Sequence, residues 1–64
     1  MTDTELDALE VARLTLRNRL DVEETLEDHE GWWRSYDALR EIENLLQAHG
    51  RHVRRRTGRY AVAN

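Results

Sequence analysis

The chain contains no proline, and three glycines are the only strong helix breakers among its 64 residues. Gly31, Gly50 and Gly58 divide it into two long stretches and a short basic C-terminal remainder. Both long stretches carry apolar residues at the three- and four-residue spacing of an α-helix. This pattern predicts an all-α fold with a long helix over about 4–29 and a second helix over about 33–49.

The first predicted helix has two apolar sides. Its start is expected within residues 2–5, because Thr2-x-x-Glu5 and Thr4-x-x-Asp7 both resemble capping boxes. One apolar line follows Leu6, Leu9, Leu16 and Leu20, and a second runs on roughly the opposite side, through Val11, Leu14, Thr15, Asn18, Val22 and Leu26. A break near Asp21 is the alternative to one continuous helix. The absence of Gly and Pro favours the continuous helix.

The second predicted helix is short and its apolar positions form one seam. Gly31 is well placed to end the first helix in the left-handed conformation, and Gly50 to end the second. The seam consists of Trp32, Tyr36, Leu39, Ile42 and Leu46. A connection of a few residues predicts an antiparallel helical hairpin over 1–50, followed by an Arg-rich C-terminal arm over 51–64. Because one hairpin leaves the second apolar line of the first helix uncovered, two copies are expected to form a four-helix bundle.

Length and composition restrict how so small a chain is stabilised. Chains of about 60 residues bury a small core and usually need disulfides, a metal, or a partner surface. There is no Cys, which excludes disulfides and disfavours the common zinc sites. The sequence has no apolar run long enough for a membrane span, and its first residues are acidic where a signal peptide is basic. We therefore expect a cytoplasmic protein.

The charges divide sharply along the chain. Residues 1–50 hold all thirteen acids and five Arg, a net charge of −8, whereas residues 51–64 hold five Arg and no acid. The arm's guanidinium groups are suited to phosphate contact and its aromatic ring to base stacking. The residues of this predicted nucleic-acid contact are Arg51, Arg54, Arg55, Arg56, Arg59 and Tyr60. The alternative is that the arm folds back onto the acidic body.

A second charged cluster lies around the predicted turn. Six carboxylates fall within ten residues, and most of them are expected to form one negative surface: Asp21, Glu23, Glu24, Glu27, Asp28 and Glu30. Such a surface is either a solvated helix face or a contact for a basic groove on another protein. Because adjacent helical residues point about 100° apart, Trp32 is expected in the core and Trp33 nearer the surface, as part of the same contact. The alternative is that both rings wedge the loop against the first helix.

The residues that carry chemistry in enzymes are scarce. His49 and His52 lie on either side of Gly50, so helical metal-ligand geometry is not expected, and no Cys accompanies them. There is one Ser and no glycine-rich phosphate loop, and a short hairpin offers little volume for a substrate. We predict no enzymatic activity, no cofactor, no metal and no small-molecule substrate.

The leading hypothesis for function is a small regulatory or inhibitory protein that binds another protein through the acidic helical face. By analogy of size and charge alone, inhibitors that phages and mobile elements direct against nucleic-acid-binding complexes are of this kind. The first alternative is a nucleic-acid-binding regulator that uses the arm. The second is a structural subunit of a larger assembly.

Overall fold

The computed structural model describes residues 1–54, which form two α-helices joined by a tight turn. Helix α1 spans Asp3–Leu26 and helix α2 spans His29–Ala48, and they pack against each other as a helical hairpin. The all-α hairpin prediction is confirmed. Helix α1 continues through Asp21 without interruption, so the alternative of a break there is wrong.

Helix α1 begins with the capping box that the sequence predicts. The Glu5 backbone N–H donates to Thr2 Oγ1 at 3.2 Å, and the Thr2 backbone N–H donates to Glu5 Oε1 at 2.8 Å. These two bonds satisfy donors that have no partner within the helix. Asp3 and Glu5 also place negative charge in the first turn, where the helix dipole favours it.

The turn between the helices lies at residues 27–28, a few residues earlier than predicted. Helix α1 ends at Leu26, and Glu27 takes the left-handed conformation at φ 55°. Asp28 then caps α2, since its Oδ1 accepts from the Gly31 backbone N–H at 3.0 Å. The prediction that Gly31 ends α1 is therefore wrong, because a strong N-cap residue three positions earlier recruits Gly31 into the first turn of α2.

The core consists of two apolar clusters along the hairpin. One lies towards the open end, and its members are Leu6, Leu46 and Val53, with Leu9 and Ile42 packed against them. The other lies towards the turn, and its members are Leu20, Trp32 and Leu39, with Leu16 and Tyr36 packed against them. The apolar line of α1 that faces α2 is the one predicted to do so.

The chain turns back on itself after α2. Gly50 adopts φ +81°, and the Arg51 backbone N–H donates to the Leu46 carbonyl at 2.9 Å. A positive φ there suits glycine and lets the chain reverse over the helix end. As a result Val53 enters the core cluster at the open end. Neither helix in the described part of the chain is long and apolar enough to cross a membrane.

Candidate functional site

The side of α1 that points away from α2 carries four exposed aliphatic side chains. We call this the outer face, and its aliphatic residues are 56–71% exposed: Val11, Leu14, Val22 and Leu26. It coincides with the second apolar line predicted from the sequence. Because one helix partner covers one side of α1, this second side has no cover within residues 1–54.

The outer face is less polar than its composition suggests. Thr15 Oγ1 donates to the Val11 carbonyl at 3.2 Å, and Thr25 Oγ1 donates to the Asp21 carbonyl at 3.0 Å. Both hydroxyls are thereby satisfied within their own helix. Near the end of α1, a shallow depression is lined by Asp21, Val22, Thr25 and Leu26. An acidic residue therefore borders an apolar depression that a partner side chain can enter.

The acidic cluster around the turn is at least partly exposed except at one residue. Five of its members are exposed or half-buried, namely Asp21, Glu24, Glu27, Asp28 and Glu30. Glu23 is instead 7% exposed, because its position on α1 turns towards the start of α2. The prediction that Glu23 lies on the exposed negative surface is wrong. The spacing of charged residues alone did not reveal which carboxylate the second helix would cover.

The two tryptophans divide as predicted between core and surface. Trp32 is fully buried and stacks on Tyr36 with ring centroids 4.9 Å apart, whereas Trp33 is 43% exposed. Trp33 packs edge-on against Trp32 at a centroid distance of 4.9 Å. This leaves a partly exposed indole that a buried aromatic neighbour holds in place, which suits a contact residue.

The first residues of the Arg-rich arm contact the acidic body. Arg51 lies 2.6 Å from Glu10, 3.1 Å from Asp7 and 3.7 Å from Asp3. The hydrogen bond to Asp7, together with the three negative charges, raises the pKa of the Arg51 guanidinium. The Arg54 backbone carbonyl accepts from Arg13 Nη2 at 2.6 Å. For Arg51, the fold-back interpretation of the arm is the one observed.

The remaining residues of the predicted nucleic-acid contact are less constrained. The side chain of Arg54 is exposed. Arg55, Arg56, Arg59 and Tyr60 lie outside the described residues. The nucleic-acid hypothesis therefore stays a prediction, and within residues 51–54 it rests on Arg54.

No three His, Asp or Glu side chains among residues 1–54 come together as a metal site. Comparison of the chain with protein families, curated proteins and solved structures found no match.

Proposed function

We propose that this chain is a small non-enzymatic regulatory protein that binds another protein through the outer face of α1. One observation carries the proposal: four large aliphatic side chains lie exposed along one side of a helix whose other side is already packed. A helix that is apolar on two sides is usually buried on two sides. Burying such side chains fully stabilises a complex by about 1.5–3 kcal/mol each before the costs of association.

The charges at the ends of α1 indicate which kind of partner fits. Acids lie at its start, including Asp3 and Asp7, and near its end, including Asp21 and Glu24. Arg51 offsets part of the negative charge at the start of α1, but the net charge of −8 over residues 1–50 still opposes the pairing of two copies, since like charges repel. A partner with a basic rim around an apolar groove avoids this repulsion. We therefore favour a different, basic protein over a second copy.

A basic apolar groove also connects this proposal with an inhibitory role. Residues 1–50 carry a net charge of −8, so they favour surfaces that otherwise attract nucleic acid. Occupying such a groove would exclude nucleic acid from it. Inhibition of a nucleic-acid-binding complex is the form of regulation that the charge supports best.

The test replaces two side chains at the end of the outer face and measures binding of the partner protein. A photo-crosslinking residue at position 22 in the source cell identifies the neighbouring protein, and binding of that purified protein is then measured. We expect the double variant Val22→Ser with Leu26→Ser to bind at least about tenfold more weakly, which corresponds to about 1.4 kcal/mol. Its helical circular dichroism should be retained, because both side chains are exposed.

The matched control is Leu45→Ser, which removes an exposed aliphatic side chain from α2. It should leave partner binding unchanged.

Sedimentation of the isolated chain tests whether two copies associate into the four-helix bundle. A dimer that the double variant abolishes, together with crosslinks to the chain itself alone, would assign the outer face to a second copy. Undiminished binding of another protein by the double variant would exclude the outer face as its docking surface.

A further inference from the structure

A cleft of about 280 Å³ lies between α1 and the first turns of α2, on a different side of the hairpin from the outer face. Its polar lining comes from both helices and from the turn, and comprises Arg19, Glu23, Asp28, Arg34 and Ser35. Gly31 also borders it. Leu16 and Ala38 supply apolar lining, so the cleft combines polar and apolar walls.

Glu23 is the unusual residue of this cleft. It is 7% exposed, and its Oε1 is fully enclosed without a hydrogen-bond partner among the described residues. A buried polar atom without a partner costs about 1–3 kcal/mol, and more when the group is charged. Such a group calls for an explanation, such as stored strain, a bound water or ion, or a functional role.

A second carboxylate converges with Glu23 above Gly31. A Cβ placed on Gly31 would lie 2.7 Å from Glu23 Oε2, and closer still to Asp28 Oδ2. The missing side chain at Gly31 is what lets the two carboxylates approach the same point. Asp28 Oδ1 is already engaged by the Gly31 N–H, whereas Oδ2 is directed towards this point.

The basic residues at the rim do not neutralise Glu23 in this structure. Arg34 pairs with the exposed Glu30 at 3.2 Å, on its own helix. The described residues include no ion pair between Arg19 and Glu23, although both line the cleft. Glu23 and Asp28 thus both line the cleft, and their Oε2 and Oδ2 atoms converge beside Gly31.

We infer that the cleft binds a guanidinium or primary ammonium group from a basic side chain of the partner protein. Such a group supplies several N–H donors, from which the Glu23 and Asp28 carboxylates can accept hydrogen bonds. Its positive charge also offsets their negative charges. The inference rests on the proposed function for the source of this side chain, since the outer face brings the partner to α1. It adds a polar anchor to an otherwise apolar contact.

The experiment uses the isolated chain and small probes, so that it needs no partner. The protein with ¹³C-labelled Glu and Asp side chains is titrated by NMR with the N-acetyl, N′-methylamide derivatives of arginine, lysine and methionine. We expect the arginine or lysine probe to shift the Glu23 carboxyl and the Gly31 amide in a saturating manner. The uncharged methionine probe should not do so.

Two variants remove the negative charge while keeping the shape of the site. Glu23→Gln should weaken binding of the cationic probe at least tenfold. Asp28→Asn should weaken it several-fold and preserve the start of α2, because Asn caps helices as well as Asp does. Glu41→Gln removes an exposed charge from α2 and should have no effect.

Three results would overturn the inference. In the first, the probe binds Glu23→Gln as tightly as the unmodified chain. In the second, shifts spread evenly over exposed carboxylates without saturation. In the third, the probe binds after Arg19→Gln but not before, which would mean that Arg19 fills the cleft itself. None of these results bears on the outer face, whose test changes different residues.

Discussion

Arg13 Nε donates to Glu43 Oε2 at 2.9 Å, and this ion pair crosses the hairpin between its two apolar clusters. The side chains are 14% and 3% exposed, so the pair is largely removed from water. Arg13 also donates to the Arg54 carbonyl, which connects α1, α2 and the start of the arm. An ion pair in this position fixes how the two helices align along each other.

Removing one member of this pair should destabilise the fold more than removing both. Glu43→Leu leaves a largely buried guanidinium without its carboxylate, and the expected loss is about 3–5 kcal/mol of unfolding free energy. Arg13→Met with Glu43→Leu should recover much of that loss, since an apolar pair replaces both charges. Urea denaturation of both single variants and the double variant measures this coupling. A double variant that loses the sum of the two single effects would contradict it.

The two tryptophans should contribute unequally to stability. Trp32→Ala empties a fully buried site and should cost about 3–5 kcal/mol, enough to unfold much of so small a chain. Trp33→Ala removes a ring that is 43% exposed and should cost well under half as much. Thermal and urea unfolding of the two variants test this difference. Equal losses would show that Trp33 is part of the core.

Arg51 should hold the start of the arm through interactions that salt weakens. Its three carboxylate partners are 43–96% exposed, so solvent screens each ion pair. We expect Arg51→Gln to raise amide hydrogen exchange at Val53 several-fold at low salt, and to differ less from the unmodified chain at high salt. Arg34→Gln, which breaks an exposed pair within α2, is the control and should not change exchange at Val53.

The capping box should give the chain a specific dependence on acid. Hydrogen bonds from the Thr2 backbone N–H and hydroxyl lower the pKa of Glu5 below its usual 4.5. A lowered pKa in the folded state contributes stability above the unfolded pKa, and this contribution is lost as the pH falls through the folded value. Glu5→Gln should therefore melt at a lower temperature than the unmodified chain at neutral pH, and the difference in melting temperature should disappear once the pH has fallen below the lowered pKa of Glu5. A difference that persists in acid would assign the effect to lost packing.

Features encoded by neighbouring residues followed from the sequence. The Thr2–Glu5 capping box lies within one turn, and the apolar line from Leu6 to Leu20 repeats at helical spacing. Each can therefore be predicted without knowing how the second helix packs. The same holds for Trp32, whose spacing to Tyr36 and Leu39 places it on the buried side of α2. The sequence by itself determined two helices, their apolar sides and the uncovered outer face.

Contacts between residues distant in sequence were decided by the tertiary structure. Arg13 meets Glu43 across 30 positions and Arg51 meets Glu10 across 41, and neither spacing leaves a periodic signal. Glu23 belongs to the acidic cluster by spacing, but in the folded hairpin it is buried beside Gly31 at the start of α2. Charge patterns identify which residues are polar. Which of those charges become buried depends on how the second helix packs, because burial is a property of both helices together.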